Sequence, residues 1–148
     1  MASTKKIRLW SGPPNLKKFK EGATQTFYEG DLVKLSSGLI VIATDGNDVC
    51  GVAAKKASGT TNADAFVYVI TPEQVWSVYT SGTPATATHV GNGYDFASFT
   101  AGNYNVLSLS TTTNKDALVQ ALDPRDTAAS GTRVLVRFNY ASADMIGG

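Results

Sequence analysis

The stretch from Phe27 to Ala54, FYEGDLVKLSSGLIVIATDGNDVCGVAA, constrains the fold of this chain more than any other part of it. Phe27 to Leu35 mixes aromatic and β-branched residues, Ser36-Ser37-Gly38 reverses the chain, and Leu39 to Ala43 is almost wholly apolar. Asp45-Gly46 turns it again before Val49 to Ala54. Short β-prone runs separated by turn residues that accept positive φ angles are the mark of a β-meander. The stretch dictates architecture and carries no chemistry of its own.

The remainder continues in the same manner. Ala65 to Ile70 reads as a strand covered on both faces. Thr71-Pro72-Glu73-Gln74 has the form of a helix start, with Thr71 as N-cap and Pro72 at the first helical position, but the β-prone Val75 to Tyr79 limits it to one turn. Residues 80–93 form a loop containing Pro84 and His89, and Tyr94–Phe99 and Tyr104–Leu109 make a hairpin around Ala101-Gly102-Asn103. Ala117–Leu122 and Thr132–Tyr140 are strands on either side of the polar turn Asp123-Pro124-Arg125-Asp126. In the last strand Val134, Val136 and Phe138 alternate with Arg133, Leu135 and Arg137, the period of a half-buried strand. Roughly nine strand-like runs at spacings of about 8–12 residues predict an all-β chain. The expected form is a small antiparallel β-barrel or β-sandwich with an extended N-terminal arm and very little helix. The expected divisions are an arm over 1–24, the β-domain over 25–140 and a tail over 141–148.

The arm is expected because charge is unevenly placed. Six of the 13 basic residues, Lys5, Lys6, Arg8, Lys17, Lys18 and Lys20, lie within the first 20 positions, which hold no acid. The remaining residues carry a net charge of −5 beneath an overall balance of +1. Pro13-Pro14 removes two backbone donors and makes Ser11 to Asn15 a polyproline-like elbow. Ile7, Leu9, Trp10, Leu16 and Phe19 interleave the cations with apolar side chains. A solvating tail has no use for a tryptophan, so the segment is expected to dock on a partner protein through Lys5, Lys6, Arg8, Leu9, Trp10, Leu16, Lys17, Lys18, Phe19 and Lys20. A frayed terminus and a nucleic-acid tail are the competing readings; the acidic body disfavours the second.

The search for chemistry is negative. The chain has no phosphate-binding Gly-rich loop, no nucleophile elbow, no paired histidines of a zinc protease and no cysteine pair. Cys50, the single cysteine, sits between valines and glycine and reads as a buried thiol. His89 stands alone in its loop, and Glu29 with Asp31 reads as charge at a strand end. Asp45, Asn47 and Asp48 lack the spacing of a calcium loop, so no metal and no cofactor is expected. Asp123 and Asp126 read in the same way as turn residues, and Arg125, between them, reads as making a surface ion pair worth under about 1 kcal/mol. The chain is expected not to be an enzyme. No run approaches the ~18 apolar residues of a membrane span, and the first residues lack the apolar core of an export signal, so synthesis in a reducing cytoplasm is expected. Charged residues make up 17% of the chain against about 25% in typical soluble domains, a surface suited to packing against other proteins.

Gly30-Asp31-Leu32-Val33, Ser37-Gly38, Ile42-Ala43-Thr44-Asp45-Gly46 and Cys50-Gly51-Val52-Ala53 together resemble the opening of the small β-barrel decoration, or cement, proteins of tailed-bacteriophage heads. The resemblance covers about Thr26 to Ile70. It implies a structural virion protein without catalytic residues, bound to the outer surface of an assembled capsid. It implies the major capsid protein as partner, and a homo-oligomer, a trimer, as the assembly. Capsomer contacts would be cemented by a terminal arm, to which Met1–Lys20 corresponds in position. Two alternatives remain: a carbohydrate- or host-surface-binding β-sandwich using Trp76, Tyr79, Tyr94 and Tyr104, and a small nucleic-acid-binding β-barrel.

Overall fold

The protein is described from a computed structural model, which places residues 6–44, 49–81, 85–97, 99, 106–125 and 133–139. Lys5, residues 45–48, the turn at 101–103 with Tyr104, Pro84, Asp126 and the tail 141–148 lie outside the described residues. In chain order the strands are β1 (Arg8–Ser11), β2 (Leu16–Glu21), β3 (Leu32–Ser36), β4 (Leu39–Ile42), β5 (Gly51–Ala53), β6 (Asp64–Val69), β7 (Val75–Tyr79), β8 (Gly93–Phe96), β9 (Leu107–Ser108), β10 (Ala117–Leu122) and β11 (Arg133–Phe138). The chain is all-β, as expected; the only helical segment among the described residues is a 3-10 turn at Ala87–His89. At the proposed helix start the chain makes only a turn, in which the Gln74 Oε1 accepts the Thr71 N–H at 2.8 Å, and it is extended again from Val75.

Five strands close a barrel in the order β2-β4-β3-β5-β6. Ser37 and Gly38, at φ +50° and +80°, make the tight β3–β4 hairpin that the sequence predicts. β5 then departs from the meander. It pairs with the other edge of β3, Leu32 opposite Val52, because the free edge of β4 is taken by a parallel pairing with β2, Lys20 opposite Leu39. β6 completes the ring by pairing antiparallel with both β5 and β2. Alternation sorts the side chains: Val33, Ile40, Cys50, Ala53, Ala65 and Val67 fill the barrel with Phe27, while Leu32 and Val52 point out of it. Gly51 is required where β5 meets β6, since a Cβ there would stand 2.4 Å from the Tyr68 carbonyl oxygen.

The second sheet has the order β1-β7-β11-β10-β8-β9, and all its pairings are antiparallel. It curls nearly shut. The edge of β7 away from β11 is shared between β1, which pairs near its start, and Leu107, which makes a parallel bridge to Thr80 just past its end. The Ser81 N–H donates to the Leu107 carbonyl at 2.8 Å to secure that bridge. Inside lie Trp76, Val78, Tyr94, Phe96, Leu107, Val119, Val134, Val136 and Phe138, and the same apolar cluster takes in Leu32, Val52 and Ile70 from the barrel. The two sheets therefore share one core.

Residues 6–20 do not stand apart from this body as an arm; residues 1–5 of the expected arm lie outside the described residues. β1 is a strand of the second sheet, β2 is a stave of the barrel, and residues 12–15 carry the chain from one to the other. The physical reason is period-two burial: Ile7 and Leu9 face the shared core, and Phe19 faces the barrel interior. Pairing with β7 and β6 satisfies backbone groups that a free arm would leave to water.

Candidate functional site

The cationic, apolar-studded segment now has a geometry. On β2 the outward residues are Leu16, Lys18 and Lys20, with Leu16 53% exposed, one of the most exposed large apolar side chains among the described residues. Lys20 donates to Asp64 at 2.8 Å and Lys18 stands 4.0 Å from the same carboxylate. The Lys20 hydrogen bond, with the Lys18 charge beside it, holds Asp64 below the usual carboxylate range. Lys17 is exposed at the barrel rim, and Lys6 pairs with Glu29 at 3.3 Å. Lys5 lies outside the described residues. Leu9 and Phe19 are partly buried against the two cores, where they hold the segment in place.

Trp10 is the outstanding surface residue. It sits where the β1–β7 register slips between Leu9 and Ser11, a bulge that turns its indole onto the outer face of the second sheet, 40% exposed. The Arg125 guanidinium lies 5.1 Å from the ring centroid. Arg125 is itself fixed, donating from Nη2 to the Ser77 Oγ at 2.8 Å and from Nε to Asp123 at 2.9 Å, with a further Nη2 bond to Asp123. The Ser77 hydroxyl donates to the Asp123 Oδ2 at 2.8 Å, and the Arg133 guanidinium stacks 5.7 Å over Tyr79. The Asp123 side chain is fully buried, and the Arg125 hydrogen bonds hold its carboxyl well below the ordinary range. This corrects the expected surface ion pair: Ser77 of β7, Arg125 and Arg133 of β11 surround the buried carboxylate, so the pair is a packed network. Arg125, Ser77, Tyr79 and Arg133 thus join Trp10 in a preorganised patch that no local signal announced, since its members come from positions 10, 77–79, 123–125 and 133.

Between β1 and the barrel lies a cleft of about 310 Å³, lined by Ile7, Leu9, Val52, Ala53, Tyr68 and Trp76, with Lys6, Arg8, Pro14 and Glu29 at its rim. Arg8 is exposed and has no acidic partner among the described residues.

Elsewhere the ionisable side chains serve the fold. Glu21, buried in β2, accepts the Ser58 and Gly59 N–H groups at 2.9 and 2.7 Å and pins the β5–β6 loop. Asp95 does the same for Asn114 and Lys115. His89 accepts the Thr86 N–H on Nδ1 at 2.9 Å and packs edge-on against Tyr94. Cys50 is buried in the barrel. Among the described residues no three His, Cys, Asp or Glu side chains gather as a metal site, and no helix is long and apolar enough to cross a membrane. Of the four aromatics that the carbohydrate reading needs, Trp76 and Tyr94 are core residues and Tyr104 lies outside the described residues. Neither the family models nor the curated proteins compared with this chain match it.

Proposed function

We propose that this chain is a structural, non-enzymatic virion protein that binds the outer surface of an assembled tailed-phage capsid and cements contacts between capsomers. The major capsid protein is its partner, it works as a homo-oligomer, with the trimer favoured, and it resides on the capsid exterior after synthesis in the host cytoplasm. The observation that carries the reading is the rigid display of Trp10 and Leu16 on two paired strands, flanked by Arg8, Lys17, Lys18 and Lys20. A tryptophan already ordered by a cation–π contact loses little entropy on docking, which is what a binding anchor requires. A ligand that binds only the assembled lattice stabilises it by linkage, and several copies acting together multiply the effect. The resemblance of residues 26–70 to cement proteins supports the same reading.

Deleting residues 1–20 would remove two strands, so the test uses substitutions at exposed positions. Co-sedimentation of the full-length protein with DNA-free capsids at moderate salt is expected to show saturable binding. Trp10→Ala is expected to weaken it by about 30-fold, equivalent to ~2 kcal/mol at a hot spot. Failure of the unaltered protein to sediment with capsids, or equal binding by Trp10→Ala and Leu16→Ala, overturns the proposal. Light scattering of the free protein reads the oligomer.

A further inference from the structure

We infer that the cleft between β1 and the barrel receives an extended, acidic segment of a partner protein, which adds a strand to the open edge of β1, places one large apolar side chain in the cleft and pairs a carboxylate with Arg8. This inference does not depend on the partner being a capsid.

Three observations converge on it. The first is an unfinished sheet edge. β1 pairs with β7 on one side only, and on the other the Gly30 carbonyl takes the Ile7 N–H at 3.2 Å, after which no strand follows among the described residues. Edges of this kind template pairing with another chain unless they are blocked. The second is the cleft beside that edge. At about 310 Å³ it stands at the lower end of ligand sites, which run from roughly 300 to 1,000 Å³. That suits one large side chain from a bound strand better than a cofactor, and the lining by Ile7, Leu9, Val52 and Trp76 makes the guest apolar. The third is charge. Lys6 is matched by Glu29, whereas Arg8, on the same rim, has no acidic partner among the described residues. An incoming carboxylate would supply the bidentate partner that a guanidinium favours.

Strand addition also explains why the mode is specific. Main-chain bonds give affinity to any extended peptide, while alternate side chains meeting the cleft and Arg8 choose among them. A small anionic molecule would use the cleft and the cation but not the edge, and the experiment separates the two.

The test presents the full-length protein with a displayed library of random heptapeptides, then titrates the best capped peptide in solution. Enrichment of one large apolar residue next to Asp or Glu is expected. Arg8→Glu is expected to weaken that peptide at least tenfold, with its thermal melting unchanged because the side chain is exposed and unpaired. Glu29→Gln, which releases Lys6 toward the rim, is expected to tighten binding severalfold. A version of the peptide N-methylated at the edge-facing amides is expected to lose binding. No enrichment, enrichment of basic peptides, indifference to Arg8→Glu or full binding by the N-methylated peptide overturns the inference; the last result would mark a side-chain or small-anion pocket.

Discussion

The barrel and the curled sheet solve the same problem differently. In the barrel every strand has a partner on both sides, so backbone pairing closes it and small aliphatic residues suffice inside, with Phe27 the one fully buried aromatic of its core among the described residues. The curled sheet is closed by one parallel bridge and a partial strand. It compensates with bulk: Trp76 meets Phe138 edge-on at 6.3 Å, and Phe138 stacks on Phe96 at 5.5 Å. Outside, the network around Asp123 ties β7 to the turn after β10. Where hydrogen-bond closure is complete the side chains can be small; where it is partial, aromatic packing and a buried carboxylate complete it.

That contrast is open to breaking, starting with the sheet. Trp76→Ala is expected to cost about 3–5 kcal/mol, read by urea unfolding, because it empties the centre of the shared core. If it left barrel signals intact while abolishing the rest, the shared core would be wrong. Gly51→Ala challenges the barrel's closure directly; the new Cβ meets the Tyr68 carbonyl, a backbone group that has no rotamer to escape by, and a loss of about 3 kcal/mol is expected. Asp123→Ala leaves the half-exposed Arg125 without its carboxylate acceptor, for an expected loss of about 2 kcal/mol and a rise in the mobility of Trp10 visible as reduced fluorescence anisotropy. A milder handle is pH. The folded state depresses the Asp123 carboxyl, so its contribution is complete above the unfolded value of about 4 and drains away as pH falls below that toward the folded one. The melting temperature should therefore drop more steeply below pH 4 in the unaltered protein than in Asp123→Asn. Asp64→Asn, at the exposed end of β2, is expected to shift melting least of all.

Local signals carried the strands well. Ser37-Gly38, the apolar run of β4 and the alternation of β11 are each decided by neighbours in sequence, and each forms where the residues predict. Pairing partners were not legible, because they are chosen by closure: β5 looks like the third strand of a meander, and only the arrival of β2 on β4 sends it to β3. The segment before Phe27 misled for a related reason. Lysines at 17, 18 and 20 hide the period of two in β2, whereas Ile7 and Leu9 alternating with Arg8 and Trp10 were a readable strand signature. Asp123 looked exposed because the strand that supplies its Ser77 hydrogen bond lies 46 positions earlier in the chain. The surface position of Trp10 and Leu16 was foreseeable; the guanidinium beneath the indole was not.

Weaving residues 8–21 through both sheets also has a cost in time. β2 must wait for β6, whose partner residues are made more than 40 positions later, and β1 waits longer still for β7. At synthesis rates of about 5–20 residues per second, the first strands spend seconds with at least one open edge before β6 and β7 exist to receive them. The clustered lysines are well placed to keep that waiting stretch dispersed, since like charges along an unpaired strand discourage it from joining its copies on neighbouring ribosomes. The charge that marks this segment would then serve the nascent chain before it serves any partner.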